Sequence, residues 1–490
     1  MKFDVPLSWE GDPTLQHFKN IGQLILETAE KHPDQLAIVS DQSMLNYRKF
    51  SQAVLSVASR LRAAGIGPGK IVAQSDDNLA EVAPVMIACA VLGASWVSLR
   101  VSQHLPQDLS PTLVIGDAPS RGDVAGIALD PSWFTADPLD PGTVPEIQPD
   151  VPFLFVATSG TTGAPKVIAI TQQQQVLRAA ATREDFVPRQ TVFATLFRAN
   201  AYPYITRFLS AFVNGATVVD SRSPDLWFAA GVNHLYGSVA QMAEFFGANS
   251  LPRKMPLVHV SGSRLSDGLA RHLIENFDTV IDLYASTETN RSFKNQKSLG
   301  PDGQIVTTGL PLDSEVQIVD EDDGPVPAGT VGIVRVRNGY LVDGYLNNPE
   351  ATQASFRNGW FYTGDLGQVG KNGELIVIGR AGDVLNLGGV KINAAEVDDH
   401  LRALPAVADA MCFDVPSDDG PNELLAFVVP RPGVEMSDIA AQCEQLVAPV
   451  IGKARMPRRL IQIAEVPRAH DGGAKRFLCR QIYLGGRKVG

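Results

Sequence analysis

Short apolar runs alternate with amphipathic segments along the first part of the chain. The runs "LAIVS" at 36–40, "TLVIG" at 112–116 and "PLVHVSG" at 256–262 are rich in β-branched residues and have the length of strands. Segments between such runs, for example "NIGQLILETAEKH" at 20–32, place apolar residues at helical spacing. Strands that alternate with helices predict parallel sheets covered by helices, so the predicted fold class is α/β.

The pattern changes after residue 305. The run "GTVGIVRVR" at 329–337 and its neighbours are short strands separated by turn glycines, which predicts a β-rich module. Further along, "AAEVDDHLRAL" at 394–404 returns to helical spacing, and the C-terminal region is predicted to mix helices and strands. The chain therefore divides into an α/β part, a β-rich module and a mixed C-terminal region.

Composition narrows the classes of function. The chain has 490 residues, enough for two or more domains, and a formal net charge of −11, which disfavours a nucleic-acid-binding surface. It lacks a run of about 18 apolar residues, and its first residues lack the apolar core of a signal peptide. We therefore expect a cytoplasmic protein with no membrane span. The four cysteines are scattered without metal-ligand spacing, which argues against a zinc site or a disulfide framework.

A loop rich in glycine and hydroxyl groups separates the apolar runs "FLFV" at 153–156 and "VIAI" at 167–170. Its candidate phosphate-binding residues are Ser159, Gly160, Thr161, Thr162, Gly163 and Lys166. Glycines let the backbone approach a ligand, while hydroxyl and backbone N–H groups can surround an anion. Pro165 precedes the lysine where the Walker pattern has glycine, so a P-loop NTPase is not indicated. From these residues alone, a phosphate cradle and a flexible turn are equally open.

Four further motifs follow the loop. They are "DLYASTET" at 282–289, "FYTGDLG" at 361–367, "GRAGDVLNLGGVKINAAEV" at 379–397 and "VPRAHDGGAKRFLCR" at 466–480. Taken singly, each has a structural explanation. Tyr284 could pack in the core and Asp365 could form a turn, while Arg380 and Lys475 could be surface charges.

Together and in this order, the loop and the four motifs resemble the adenylate-forming superfamily. This superfamily contains acyl-CoA synthetases, the adenylation domains of non-ribosomal peptide synthetases and firefly-type luciferases. The similarity extends from "LNYRKFSQAVLSVASRLRAAGIGPG" at 45–69, through "GYLNNPEAT" at 344–352, to the lysine near the C-terminus. It therefore covers nearly the whole chain.

The resemblance implies two domains. The N-terminal domain, residues 1–381, would consist of two α/β subdomains plus a small β-barrel, and residues 382–490 would form a small mobile α+β domain. The hinge between them falls at Gly382, where the family usually has aspartate or lysine. Glycine can absorb a large backbone rotation, so we expect the hinge to remain functional.

The resemblance also assigns a role to each candidate residue. The loop residues named above would hold the β- and γ-phosphates of ATP. On the adenosine side, Tyr284 would stack on adenine, Asp282 would accept a hydrogen bond from the adenine amino group, Asp365 would bind both ribose hydroxyls and Arg380 would assist there. On the reacting side, Thr287 would contact the α-phosphate, Glu288 would help to hold Mg²⁺, and Lys475 would bridge the substrate carboxylate and the α-phosphate.

The implied reaction is ATP-dependent activation of a carboxylic acid to an acyl-adenylate, with release of pyrophosphate and transfer to a thiol. Coenzyme A is the first choice of acceptor. A stand-alone enzyme that loads a separate phosphopantetheinyl carrier protein is the second. A nucleotide-binding protein without ligase activity is an alternative of a different class. The sequence also leaves open whether the protein forms a homodimer.

The acid substrate is the least defined part of the prediction. The candidate pocket residues are Arg198, Ser261 and Gly262. Amino-acid-activating relatives usually carry aspartate at the position of Arg198, so an α-amino acid is disfavoured. Arg198, together with the nearby Arg207, could pair with a second anionic group on the substrate, or Arg198 could simply brace the pocket wall.

Overall fold

The computed structural model describes residues 18–102, 104–105, 109–116, 126–144, 146–158, 166–247, 250–380, 384–387, 390–416, 422–468 and 475–486. The α-helices are α1 Ile21–Lys31, α2 Tyr47–Ala63, α3 Leu79–Leu92, α4 Leu99–Ser102, α5 Gln172–Ala181, α6 Tyr202–Val213, α7 Pro224–Ala230, α8 Val239–Phe246, α9 Asp267–Asn276, α10 Pro349–Ser355, α11 Ala394–Arg402, α12 Met436–Gln442, α13 Ala448–Ile451 and α14 Arg476–Gly486.

The strands of the N-terminal part are β1 Leu36–Ser40, β2 Met44–Asn46, β3 Ile71–Gln74, β4 Ser95–Ser98, β5 Leu113–Ile115, β6 Gly126–Ile127, β7 Pro152–Thr158, β8 Lys166–Thr171, β9 Val192–Thr195, β10 Thr217–Asp220, β11 His234–Ser238, β12 Met255–Ser261, β13 Phe277–Ser286, β14 Asn290–Leu299 and β15 Ile305–Pro311. The remaining strands are β16 Glu315–Val319, β17 Gly332–Arg337, β18 Phe356–Arg357, β19 Trp360–Val369, β20 Leu375–Arg380, β21 Val384–Leu387, β22 Val390–Asn393, β23 Val407–Val415, β24 Glu423–Pro430 and β25 Arg459–Gln462.

Two large sheets form the α/β part. The first has nine strands in the order β15-β14-β13-β12-β11-β9-β10-β1-β2, and its strands from β13 to β1 are parallel. The second has six strands in the order β6-β5-β3-β4-β7-β8, of which only the β7–β8 pair is antiparallel. The α/β class predicted from alternating strands and helices is confirmed, and so are the two α/β subdomains that the resemblance implies.

A helical layer joins these two sheets through one shared core. Helix α3 is apolar on nearly every side, so it is buried against helices α1 and α2 and strand β4. The core includes Ile38 and Val218 from the nine-stranded sheet and Val72 and Phe153 from the six-stranded sheet. Because both sheets contribute to one core, the edges that they present to a ligand are held in a fixed relation.

The β-rich module predicted after residue 305 is a five-stranded antiparallel sheet. Its strands pair in the order β16-β17-β19-β18, with β20 also paired to β19. Its apolar cluster includes Val334, Val336 and Leu375, and Phe293 of the nine-stranded sheet belongs to the same cluster. The module is therefore packed directly against the strand that neighbours β13.

The C-terminal region contains a three-stranded sheet, β23-β24-β25, and the hairpin β21-β22. One apolar cluster, including Leu401 and Ile439, packs on one side of the three-stranded sheet, and a second, including Phe413 and Cys479, packs on the other. This mixture of helices and strands agrees with the prediction. The predicted boundary between 381 and 382 and the hinge at Gly382 lie outside the described residues and stay predictions. No helix within the described residues is long and apolar enough to cross a membrane.

Candidate active site

The carboxyl ends of four parallel strands define one edge of the nine-stranded sheet. Strands β9, β11, β12 and β13 end at Thr195, Ser238, Ser261 and Ser286. In open α/β sheets, ligands bind outside the carboxyl ends of the strands. The motif "DLYASTET" and the predicted pocket residue Ser261 both lie at this edge.

Three residues predicted to bind adenosine are in contact. The Tyr284 hydroxyl donates a hydrogen bond to Oδ2 of Asp365 at 2.5 Å, and Nε of Arg380 lies 2.9 Å from Oδ1. Strands β19 and β20 place Asp365 and Arg380 directly opposite each other, while Tyr284 comes from β13. The carboxylate is an acceptor with lone pairs remaining on both oxygens, which suits two ribose hydroxyl donors.

Local backbone geometry explains the glycine before this aspartate. Gly364 has a φ of 77°, in the left-handed region that disfavours other residues. The Thr363 hydroxyl accepts a hydrogen bond from the Asp365 backbone N–H at 3.1 Å, and the Thr363 carbonyl accepts one from Arg380 at 2.5 Å. Burial raises the pKa of Tyr284 well above its usual value, and the nearby Asp365 raises it further, so the phenol remains a neutral donor.

Asp282 lies on the same face of β13 as Tyr284, since strand side chains alternate. Burial raises the pKa of Asp282 to about 6, while the charges of Lys297 and Arg264 oppose this shift. The carboxylate is therefore ionised at neutral pH only at a cost in stability. In the nucleotide-bound protein, a hydrogen bond accepted by this carboxylate from the adenine amino group would offset the loss of stability.

We expect Asp282→Asn to raise the melting temperature more at pH 8 than at pH 5. Because the folded protein favours the protonated carboxyl, wild-type stability from Asp282 is lost as the pH rises through about 6. The amide does not titrate, so its advantage grows over this range. Thermal unfolding at both pH values measures the difference, with the exposed Asp278 of the same strand, as Asp278→Asn, for a control. An equal shift at both pH values would contradict the expectation.

The connection between β13 and β14 consists of Thr287, Glu288 and Thr289, here called the β13–β14 turn. The Glu288 side chain is buried, and its Oε1 accepts a hydrogen bond from the Tyr345 hydroxyl at 2.9 Å. The ammonium of Lys166 lies 4.5 Å from the centre of the Tyr345 ring. The structure thus brings the last residue of the predicted phosphate loop close to the predicted metal ligand.

The donor set fits a magnesium ion that arrives with ATP. Within the described ranges, no cluster of three or more His, Cys, Asp or Glu side chains could hold a metal ion. Mg²⁺ in nucleotide sites is usually bound through one or two carboxylates together with substrate phosphates. Glu288 supplies one carboxylate, and its Oε2 receives no hydrogen bond from the described residues. The site therefore suits Mg²⁺ shared with a polyphosphate.

The rest of the predicted phosphate loop, namely Ser159, Gly160, Thr161, Thr162 and Gly163, lies outside the described residues. Its two flanks are described. Strand β7 ends at Thr158 and β8 begins at Lys166, and these two residues pair as antiparallel neighbours. The loop therefore leaves and re-enters the six-stranded sheet at one point. The roles of its residues stay predictions.

Lys475 is half-buried and directly precedes helix α14. Its carbonyl accepts hydrogen bonds from the backbone N–H groups of Leu478 and Cys479. Arg476 anchors the start of this helix, with its Nη1 2.7 Å from both Asp398 Oδ2 and the Cys412 carbonyl. The catalytic role of Lys475 stays a prediction.

The predicted acid pocket begins at the ends of β11 and β12. The Ser261 hydroxyl is 2.8 Å from the Tyr236 hydroxyl, and the rings of Tyr236 and Phe197 lie 5.2 Å apart. Gly262 has a φ of 94°, which favours glycine there. Tyr236 and Ser261 are buried and Phe197 is half-buried, so the described part of the predicted pocket contains two aromatic rings and a pair of hydroxyl groups.

The two arginines considered for a second substrate anion have partners in the protein. Arg198 is exposed and forms an ion pair with Asp77. Arg207 is buried, lies 3.2 Å from Asp185, and places its guanidinium 5.2 Å from the centre of the Tyr236 ring. The charge of Arg207 is thus already matched inside the protein. The assignment of Arg198 to the pocket stays a prediction.

Sequence reasoning missed two residues that shape the site. Tyr345 holds the Glu288 carboxylate and belongs to the segment "GYLNNPEAT", which was recognised but given no role. Arg178 donates hydrogen bonds to the backbone carbonyls of Thr287 and Glu288. The only sequence feature that could have indicated its importance is that Arg178 is the single charged residue of helix α5.

Most of the chain matches known protein families. Residues 25–346 match the family described as AMP-binding enzyme, and residues 396–472 match the AMP-binding enzyme C-terminal domain. An oxalate–CoA ligase of Arabidopsis thaliana is 28% identical over 94% of this chain and 98% of its own length. A salicylyl-CoA synthase / salicylate adenylyltransferase of a Streptomyces species is 27% identical over 97% of this chain and 95% of its own.

Solved structures share the fold at low sequence identity. The o-succinylbenzoate CoA synthetase of Bacillus subtilis, solved with its acyl-adenylate intermediate, superposes with a TM-score of 0.80. It is 21% identical and the match covers 93% of this chain and 97% of that one. The same enzyme has been solved with ATP and a magnesium ion.

Proposed function

The chain belongs to the family of AMP-binding enzymes, and on that premise we propose that it is an AMP-forming acid–thiol ligase. It activates a carboxylic acid with ATP and passes the acyl group to coenzyme A. The observation that carries the proposal is a pair of contact groups around the end of β13. Asp365, Tyr284 and Arg380 form an acceptor site for adenosine, while Glu288 and Lys166 meet around Tyr345 on the polyphosphate side.

The first half-reaction joins the acid to AMP. A carboxylate oxygen attacks the α-phosphorus, the bond from that phosphorus to the bridging oxygen breaks, and pyrophosphate leaves with the bonding electrons. Both reactants are anionic, so positioned positive charge lowers the barrier. Lys475 would neutralise the carboxylate and the α-phosphate, and Lys166 would neutralise the departing phosphates. Mg²⁺, when bound with ATP at Glu288, supplies further charge neutralisation.

The second half-reaction transfers the acyl group to a thiol. The sulfur attacks the acyl carbon, the bond from that carbon to AMP breaks, and AMP leaves. We assign the N-terminal domain to residues 1–381 and the mobile domain to 382–490, with Gly382 as the hinge. The interval between the two family matches, which end at 346 and begin again at 396, supports this assignment. Rotation at the hinge would bring Lys475 to the turn for the first step and remove it for the second.

Coenzyme A is the proposed acceptor, because the names of several relatives give CoA thioesters as products. A separate carrier protein is the other candidate. Purified protein is first tested for pyrophosphate exchange with a panel of acids, and the best acid is then offered with coenzyme A or with a phosphopantetheinyl carrier protein. We expect the acyl-CoA to form at the same rate as the acyl-adenylate is consumed. Acylation of the carrier protein alone would overturn the choice of acceptor.

We propose that the acid is small and planar with a polar substituent, such as a hydroxybenzoate. The half-buried Phe197 ring would offer an aromatic surface, and the buried hydroxyl pair of Tyr236 and Ser261 beside it would bind a polar substituent that reaches it. Relatives named for salicylate and 3-hydroxybenzoate support this class. The panel should therefore include benzoate, both hydroxybenzoates, oxalate and decanoate, with the hydroxybenzoates expected to give the highest kcat/KM.

We expect Arg198→Ala to change kcat/KM for monocarboxylates and dicarboxylates alike, by less than about threefold, because an exposed ion pair contributes little. Steady-state kinetics with one acid of each kind measures the ratio of the two effects. Asp77→Ala, which removes the partner of Arg198, is the matched control and should behave in the same way. A loss confined to the dicarboxylate would instead show that Arg198 binds a second substrate anion.

A further inference from the structure

Arg178 is a fully buried arginine of helix α5, and the nucleotide-binding roles assigned above do not include it. Its guanidinium makes five hydrogen bonds. Nε and Nη2 donate to the Tyr340 carbonyl at 3.3 and 3.1 Å, and Nη2 also donates to the Glu288 carbonyl at 2.9 Å. Nη1 donates to the Thr287 carbonyl at 3.1 Å and to the Tyr202 hydroxyl. All five guanidinium N–H groups are therefore used.

The partners of Arg178 are unusual for a buried cation. Each acceptor is a neutral backbone carbonyl or phenol oxygen, and no carboxylate of the described residues lies within ion-pair distance. Arg207 and Arg291, which are also buried, each lie 3.2 Å from Asp185. Burying a charge without an opposite charge is costly, so an arginine buried among neutral acceptors indicates a role that those acceptors serve. Fixing the backbone at Thr287 and Glu288 is such a role.

Glu288 is consequently held from two sides. Arg178 binds its carbonyl, and Tyr345 binds its carboxylate. Helix α5 also reaches the segment that carries Tyr345, since Gln174 donates to the Leu341 carbonyl at 3.0 Å. The main chain and the side chain of Glu288 are both fixed by this arrangement.

Helix α5 is continuous with the end of the predicted phosphate loop. Strand β8 begins at Lys166 and ends at Thr171, which caps α5 through a reciprocal pair of hydrogen bonds with Gln174. Arg178 lies one turn further on, on the same face as Gln174. Strand β8, helix α5 and the hydrogen bonds of Arg178 therefore connect Lys166 to the β13–β14 turn.

We propose that Arg178 is a positioning residue that fixes the β13–β14 turn relative to Lys166 at the start of β8, so that Glu288 presents its carboxylate to the Mg²⁺ carried by ATP. This proposal rests on the function proposed above. Methionine at this position fills a similar volume but offers no donor, so the turn loses its anchor. Lysine keeps the charge but can reach fewer of the carbonyls.

The test measures ATP binding by calorimetry over a series of Mg²⁺ concentrations, without acid or thiol. Relative to wild type, Arg178→Met should raise the Mg²⁺ concentration for half-maximal enhancement of ATP binding by about tenfold or more, as for loss of groups that orient a metal ligand. Arg178→Lys should lie between the two. An unchanged Mg²⁺ requirement in Arg178→Met would overturn the proposal.

Gln175→Leu is the matched control for a change within helix α5. Gln175 is fully buried in the same helix and its side-chain amide has no hydrogen-bond partner among the described residues, so the Mg²⁺ requirement of this variant should equal that of wild type. A shift in Gln175→Leu as large as in Arg178→Met would assign the effect to the helix and overturn the role of Arg178. If Arg178→Met does not fold, Arg178→Lys carries the test with the same readout, and an unchanged requirement there would then overturn the proposal.

The same measurements separate this proposal from the proposed function. Mg²⁺-dependent ATP binding in wild type that is lost in Arg178→Met supports the positioning role even if no acid is activated. Acid activation by wild type together with an unchanged Mg²⁺ requirement in Arg178→Met supports the ligase and refutes the positioning role.

Discussion

Replacing Lys475 by alanine is expected to lower the rate of acyl-adenylate formation by about 10²–10³-fold, the usual effect of removing a group that stabilises transition-state charge. ATP affinity should stay within about threefold of wild type, because the lysine acts when the carboxylate and the α-phosphate approach each other. Rapid-quench measurement of adenylate formation and calorimetry with ATP give the two quantities.

Two comparisons sharpen this prediction. Thioester formation from adenylate supplied to the protein should proceed at nearly the wild-type rate in Lys475→Ala, because the proposed rotation removes the lysine for that step. Lys453→Ala removes an exposed lysine of the same region and should leave both half-reactions unchanged. Undiminished adenylate formation by Lys475→Ala would refute the assignment of Lys475.

Replacing Asp365 by alanine is expected to weaken ATP binding by about 10²-fold or more, because two hydrogen bonds to a charged acceptor are lost. The change also leaves the Tyr284 hydroxyl and the Arg380 guanidinium without the carboxylate that they contact. Calorimetry with ATP measures the loss of affinity.

The nucleotide supplies the control for Asp365. Wild type should bind 2′,3′-dideoxy-ATP far more weakly than ATP, whereas Asp365→Ala should bind the two nucleotides with nearly equal affinity. A double-mutant cycle of this kind isolates the contact between the carboxylate and the ribose. If Asp365→Ala still discriminates between the two nucleotides as wild type does, Asp365 does not bind the ribose hydroxyls.

The sequence predicted the layers of the fold because local patterns determine them. The run at 256–262 reads as a buried strand and lies largely within β12, and the helical spacing at 20–32 corresponds to α1. Pairing partners are set by tertiary contacts instead. Strand β13 extends to Ser286 because it pairs with β14, which a local pattern does not reveal.

The sequence predicted those site residues that belong to recognisable motifs, but not the contacts between them. Tyr284 and Asp365 were each recognised within their motifs, but their direct hydrogen bond joins positions 81 residues apart. The ion pair of Arg198 with Asp77 joins positions 121 residues apart, and no local sequence pattern predicts it either. The role of Arg178 could not be predicted from the sequence, because most of its acceptors are backbone carbonyls. Every residue has a backbone carbonyl, so no sequence pattern identifies these acceptors.

Acid-dependent exchange of labelled pyrophosphate into ATP tests the proposed chemistry most directly, since it requires reversible formation of an acyl-adenylate. Purified protein is incubated with ATP, Mg²⁺ and each acid of the panel in turn. We expect exchange that depends on the acid, that is strongest with a hydroxybenzoate, and that disappears in Lys475→Ala. Absence of exchange with every acid, by a protein that binds ATP, would contradict the assignment as an AMP-forming ligase.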